Sequence, residues 1–250
     1  MAINTRSEES ALAARWRRWR PSQEQIVLMV TALLAASFAL SLPGFATIGN
    51  VLALMRSVSI LGILGIAMAV VVIGRGLDLS LVATMAISAA FALKLMQHDW
   101  PWPPAVAAGF AVAITIGLVN GFLETARLTG IAVRPLTMLE YGICAAIGCA
   151  AGLVMAASTA SMNTQIVNST MIFDVILVVV LGGVSLVGGR GGVLSVLAGT
   201  ALIGTLLNGM TIMDLNNNVQ NIVKGGVLLA AILLDNRLHP RDEETARQGD

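Results

Sequence analysis

Asp78 and Ser80 lie two residues apart in GRGLDLSLV, Gly74–Val82, with Arg75 three positions upstream and apolar chain on both sides. A carboxylate beside a hydroxyl could serve acid–base or nucleophilic chemistry, but that chemistry also needs a base, metal or orienting partner. The sequence supplies none. His98 and His239 lie far apart in polar stretches and offer neither zinc nor triad geometry. Cys144 and Cys149 are five apart in one apolar run, which turns them to different helix faces. They read as small packing residues rather than a disulfide or metal pair.

The run LGGVSLVGGRGG, Leu181–Gly192, superficially looks like a phosphate-binding loop. The pattern GxxxxGK[ST] fails there, because Gly189 stands where lysine is required. The physical reading is a break between two helical pieces, with glycines adopting backbone that other residues resist. Non-helical backbone at membrane depth must be covered by protein or line a wet cavity. Gly182, Gly183, Gly188 and Gly189 are therefore candidates for a translocation path or gate. Asp78 and Ser80 have two readings, as the N-cap of the helix that follows or as part of such a path. Asp174 and Glu140 fall near helix starts and read as capping and dipole partners, with Glu140 also placed to pair with Arg134. Asn120 in LVNG and Asn208 in LLNG read as interhelical hydrogen bonds and, in the wider reading, as path-lining.

The elements that must position these residues follow from composition. The chain has 250 residues, 56% hydrophobic and 12% charged, with a mean hydropathy of +0.83. Soluble domains carry about a quarter charged residues, so this is an integral membrane protein. A net charge of +1 argues against a nucleic-acid partner. Eight apolar segments are expected as helices, near Ile26–Leu42, Val51–Ile73, Leu79–Met96, Ala105–Leu123, Met138–Ala157, Met171–Leu186, Val193–Met210 and Ile222–Leu234. The sixth and eighth are short, and tilted, broken or re-entrant forms are open to them. The expected fold is all-α and polytopic, with about eight transmembrane helices. The expected domains are a basic tail at 1–25, a membrane domain at 26–236 and a C-terminal tail at 237–250. RWRRWRP, Arg15–Pro21, suits a cytoplasmic membrane edge; as a signal-peptide n-region it would precede an unusually long apolar stretch with no clean cleavage site.

With the N-terminus inside, 12 of the 15 basic residues fall in the N-tail, the 74–78 turn, the 124–137 loop, the 187–192 turn and the C-tail. Arg56, Lys94 and Lys224 fall near outer helix ends, where long side chains snorkel. Both termini are thus expected in the cytoplasm. Gly117–Gly121, Gly148–Gly152 and Gly188–Gly192 have the GxxxG spacing of closely packed helices. No internal repeat stands out.

Four stretches resemble the permease subunits of bacterial ABC importers for monosaccharides, of the ribose, xylose and galactose type. They are residues 62–82 containing GLDLS, GLVNGFL at 117–123, ARLTGI at 126–131, and 181–210 with its GGxSLxGGRG block, followed by IVKGGVLLAAILLDNR at 222–237. Branched-chain amino-acid permeases are relatives, and GLDLS is the sugar-type form. The chain departs from the family pattern once. GFLETARLTGI joins directly what the family separates by a helix pair and a cytoplasmic segment, so the chain is shortened near 123–127.

The resemblance implies a permease chain in a homodimer or paired with another permease chain, in the bacterial inner membrane. It would work with a cytoplasmic ATP-binding cassette ATPase and a periplasmic sugar-binding protein. No cofactor is expected on this chain, since the partner would bind ATP, and no catalytic or metal site. Arg127, Gly130 and Arg134 are expected nearest the ATPase. Asp78, Ser80, Asn120, Asn208 and the four break glycines are expected along the path. Two alternatives stand beside this: a shortened permease that is inactive or accessory, or an ion-coupled secondary transporter. The latter calls for an internal repeat and a titratable residue at mid-membrane.

Overall fold

The structure is a computed structural model describing residues 22–125, 134–159, 161–164, 166, 169–185, 188–189 and 191–238, without the side chains of 134, 231, 232 and 234–238. Eight helices run through these residues and no strand occurs among them. They are α1 (Gln23–Ser41), α2 (Ile48–Ile73), α3 (Leu81–Gln97), α4 (Trp102–Thr125), α5 (Arg134–Thr159), α6 (Met171–Leu181), α7 (Val193–Ile212) and α8 (Asn217–Leu238). Each overlaps one expected segment. Five of them (α1, α2, α4, α5 and α7) are long and apolar enough to cross a membrane, while α3 and α6 are shorter apolar helices.

Local sequence explains the boundaries. Ser22 opens α1 with a capping box: its Oγ accepts from the Gln25 amide at 3.4 Å, and its own amide donates to Gln25 Oε1 at 3.0 Å. Thr47 caps α2 by accepting from Asn50 N at 3.4 Å. Pro103 and Pro104 follow the first residue of α4, where prolines cost no helical hydrogen bond.

The inner half of α2 is the centre of the molecule. Leu64, Ala67, Met68 and Val71 are fully buried against Val175, Val178 and Val179 of α6, Val196 and Ile203 of α7, and Leu81 and Met85 of α3. On one side of α2 lies a lobe of α3, α4 and α5; on the other lie α6 and α7. The most extensive packing is between α4 and α5, α1 lies along α7, and α8 packs chiefly against α6. Among apolar lipids, burying apolar side chains gives little driving force, so close backbone approach matters more. Gly117 and Gly121 supply it between α4 and α5: a Cβ at Gly117 would lie 2.5 Å from the Tyr141 carbonyl oxygen, and one at Gly121 2.7 Å from Met138 Cα. Gly152 does the same for α5 against α3, where a Cβ would meet the Met85 carbonyl at 2.7 Å.

Several expectations are corrected here. The sixth segment is short, as expected, but its helix ends at Leu181 rather than Leu186; its 11 residues at about 1.5 Å each cover about 16 Å, half of a hydrocarbon core. The eighth is not short, running for 22 residues. Gly188–Gly192 is not a helix-packing pair: Gly188 has φ +88° outside any helix, and Gly192 is the residue before α7.

Candidate functional site: the paired helix breaks and the polar cluster beside them

The helices alternate in direction, so one end of the bundle gathers the start of α1, the α2–α3 junction, the end of α4, the start of α5 and the α6–α7 junction. This is called the proximal end here. At the α2–α3 junction the chain leaves the helix through two crossed hydrogen bonds. Gly76 N donates to Val71 O at 2.9 Å and Arg75 N to Val72 O at 3.0 Å, with Arg75 at φ +69°. That is a Schellman motif, in which a residue other than glycine takes the left-handed position. Gly76 is needed for a close approach, because a Cβ there would lie 2.9 Å from the Tyr141 hydroxyl.

The α6–α7 junction repeats the arrangement. Val184 N donates to Val179 O at 3.1 Å and Gly183 N to Val180 O at 2.9 Å, with Gly183 at φ +82°. The local sequences also match, VVVIGRG at 70–76 and VVVLGGV at 178–184, and each break leads to a Leu-Ser pair, Leu79–Ser80 and Leu194–Ser195. The two breaks thus share a short local pattern, although the same turn also closes α3 at Asp99 and α7 at Asp214. The unequal number of residues between break and Leu-Ser hides it from a search at constant offset. The two breaks also touch: Gly189 N donates to Ile73 O at 3.0 Å, and Gly188 lies against the Arg75 side chain.

Asp78, Ser80 and Asn120 come together. Asp78 is 3% exposed. Its Oδ1 accepts from Ser80 N at 2.9 Å and from Ser80 Oγ at 2.6 Å, and Asn120 Nδ2 donates to Ser80 Oγ at 2.7 Å. The N-cap reading is corrected. Ser80 stands before α3 with helical dihedrals and makes no capping bond, and Asp78 folds onto Ser80 instead. The cluster links α4 to the α3 entrance, an interhelical bond of the kind expected of Asn120. The second serine of the repeat makes a parallel bond, Ser195 Oγ to Glu24 Oε1 at 2.7 Å, tying α7 to α1. Sequence reasoning missed Glu24, and the Leu-Ser repeat is the signal that could have found its partner.

Gly182 and Gly183 are the break itself, closely packed: a Cβ at Gly182 would lie 2.6 Å from the Ser195 carbonyl, and one at Gly183 2.6 Å from the Gln23 side chain. Asn208 sits at the opposite, distal end. There it exchanges two 2.9 Å hydrogen bonds with Asn50, whose amide also donates to Phe45 O at 2.8 Å. The Asp78 cluster and Asn208 are thus not one site. Arg127 and Gly130 lie outside the described residues, as does the side chain of Arg134. Glu140 lies against Gly74.

One polar pair lies well inside the bundle. Lys224 Nζ donates to Asp174 Oδ1 at 2.7 Å and to Thr170 Oγ1 at 3.2 Å, with Lys224 8% exposed. Asp174 does lie in the first turn of its helix, as the sequence placed it, but it pairs with Lys224 rather than capping, and Lys224, expected to snorkel outward, is buried. Because α6 is a half-length helix ending at the proximal side, its first turn lies near the middle of the bundle's length. Lys224, about 10 Å along α8 from Asn217, reaches the same level.

Comparison with known proteins bears on this architecture. The family model described as "Branched-chain amino acid transport system / permease component" matches residues 50–125 and 123–232. The chain belongs to this permease family. It is a multi-pass inner-membrane protein. It is 24% identical to the ribose import permease RbsC of Escherichia coli K12 over 309 residues, covering 88% of this chain and 95% of that protein. Over 119 residues it is 34% identical to RbsC of Bacillus subtilis, covering 48% of this chain and 37% of that protein. Over 117 residues it is 33% identical to the xylose transport permease XylH of Haemophilus influenzae, covering 47% and 31%. No solved structure matches the chain.

Proposed function

We propose that this chain is the membrane permease subunit of an ATP-driven importer for a monosaccharide of the ribose or xylose class. The observation that carries the reading is the family match over both halves, joined to relatives named as ribose and xylose permeases. On this reading the proximal end is cytoplasmic, the chain does no chemistry of its own, and ATP is hydrolysed by a partner ATPase while a periplasmic binding protein delivers the sugar. Two such chains, or this one and a second permease, form the path. The physical work is switching between two arrangements of the bundle, each favoured by a different state of the ATPase. The touching breaks at 73–80 and 181–192 are suited to that work. Helices that end in loops can tilt without breaking their internal hydrogen bonds, and Gly188 and Gly189 meet Arg75 and Ile73 between the two breaks.

The family match in two pieces that meet at 123–125 supports an internal shortening there. So does the 309-residue alignment with RbsC, which covers only 88% of this chain and leaves roughly 90 positions of the alignment without a counterpart. The shortened chain keeps Arg127, Gly130 and Arg134 as the remnant facing the ATPase. Of the two features an ion-coupled transporter would need, a carboxylate inside the bundle is present in Asp174, whereas the two breaks lie at one end and do not make an inverted repeat. The carboxylate is neutralised by Lys224, however, and the family match favours the ATP-driven reading.

The test is uptake of labelled ribose and xylose by vesicles reconstituted with this permease, a sugar-type ATPase and its binding protein. ATP-dependent uptake that survives an uncoupler is the expected result. Uptake that collapses with the proton gradient and survives ATP depletion would overturn the reading. A folded permease that binds no ATPase would assign it instead to an inactive or accessory role.

A further inference from the structure

A cavity of about 220 Å³ opens at the proximal end between the α3 entrance, the end of α4 and the start of α5. Asp78, Ser80, Asn120, Glu124 and Tyr141 give it a polar interior, and Leu77, Leu79 and Leu123 stand on its rim, 44%, 62% and 58% exposed. We propose that this cavity receives a basic side chain of the cytoplasmic ATPase, with Asp78 and Glu124 as its counter-charges and the three leucines packing on its aliphatic stem. The inference rests on the reading of the chain as an ATP-driven permease.

Charge, size and position argue for it. Asp78 is nearly fully buried, yet its Oδ2 meets only the Cys144 thiol at 4.0 Å. Among the described residues the one ion pair is Lys224–Asp174, so neither carboxylate of the cavity has a cation among them. Buried charge without a counter-charge is costly, and a partner that supplies one gains the relief. The volume is below the roughly 300–1,000 Å³ of pockets that hold free small ligands, so it suits one long side chain better than a metabolite. Lysine and arginine pair a cationic head with an apolar stem, which matches an acidic floor under a leucine rim. Glu124 and Thr125 lead directly into residues 126–133, and α5, which carries Tyr141, begins directly after them. The cavity is therefore lined by residues of the two helices that flank the segment expected to contact the ATPase.

Two measurements on the full permease with its ATPase test this. First, the ATPase is co-purified with wild type and with Glu124→Gln and Glu124→Lys at about 50 mM and 500 mM salt. The expected result is at least about a tenfold loss of apparent affinity for Glu124→Lys, a smaller loss for Glu124→Gln, and a wild-type complex that weakens with salt. Undiminished retention of the ATPase by a monodisperse Glu124→Lys permease would overturn the inference while leaving the permease reading intact. A wild type that holds no ATPase would remove both. Second, a photoreactive benzoylphenylalanine at Leu123 keeps the question open should the charge variants misfold. Cross-linking to an ATPase peptide containing lysine or arginine is expected. Cross-linking to lipid or to residues 126–134 of the same chain would overturn the proposal, because the cavity would then hold a headgroup or the permease's own arginine.

Discussion

Removing the Lys224 ammonium should destabilise the protein more than any other single change to its polar groups. Lys224 joins α8 to α6 through a 2.7 Å ion pair whose side chains are 10% and 14% exposed. Beside it only Thr170 offers a further partner to the ammonium. In Lys224→Met the Asp174 carboxylate stays on α6, which is packed into the main core against α2 and α7, and α6 cannot turn it toward water without losing Val175 and Val178. Breaking a buried pair in this way costs about 3–5 kcal/mol. Asp174→Asn is the milder change, because Lys224 sits on the peripheral α8 and its long stem can carry the charge outward, for a cost of about 1–2 kcal/mol. The double variant Asp174→Leu with Lys224→Met removes both charges and should recover most of the loss.

The two free, buried cysteines provide the assay. Labelling of Cys144 and Cys149 by a thiol-reactive fluorophore during a thermal ramp in detergent reports opening of α5 and hence of the core. At about 2–4 °C per kcal/mol, Lys224→Met should lower the midpoint by on the order of 10 °C. The double variant should return to within about 4 °C of wild type, a coupling of at least about 2 kcal/mol. If Lys224→Met moves the midpoint by less than about 2 °C, and the double variant only adds the effects of the singles, the ion pair is not buried. The lysine would then snorkel, as the sequence reading held.

Three further outcomes follow from particular contacts. Asn50→Ala or Asn208→Ala should each cost about 1 kcal/mol, since each removes both halves of a reciprocal amide pair, and the double variant should cost little more than either alone in the same thermal assay. Gly117→Ala should cost about 1–3 kcal/mol, because the added methyl would sit 2.5 Å from the Tyr141 carbonyl and force α4 off α5; the same change at Gly225, which has nothing within 4 Å, should be neutral or slightly stabilising. Arg75→Gly should raise the midpoint slightly, by the equivalent of about 1 kcal/mol, because φ +69° is strained for arginine and free for glycine; a fall instead would show that the Arg75 side chain over Gly188 contributes more than the strain costs.

The parts of this molecule legible in its sequence are those governed by composition along one helix. Apolar runs long enough to span, breakers between them and small residues at packing spacing located all eight helices. The sequence was misleading wherever depth depended on a neighbour. Asp174 lies in the first turn of its helix, and in a full-length span that turn would be at the membrane edge. The helix is half-length, so the same turn lies near the middle of the bundle's length and needs Lys224, 50 residues on, to be tolerated. Asp78 misled for the converse reason. An acidic residue just before a helix predicts a cap, but the chain between Gly76 and Ser80 is held from outside by Tyr141 and Asn120, which leaves Asp78 bonded to Ser80, with the Cys144 thiol at 4.0 Å.

The turn that ends the full-length α2 recurs at the end of the half-length α6 with almost the same residues. A left-handed position at the end of Val-Val-Val-aliphatic-Gly is easy to read once. Its second copy, with glycine in place of arginine and a longer path to its serine, becomes visible only when the hydrogen bonds are laid side by side. A permease that must alternate between two packings gains from this. Helices interrupted at matched depth can shift against each other while every backbone group within them stays paired, so the cost of switching falls on the few contacts where the breaks meet, Gly189 on Ile73 and Gly188 on Arg75.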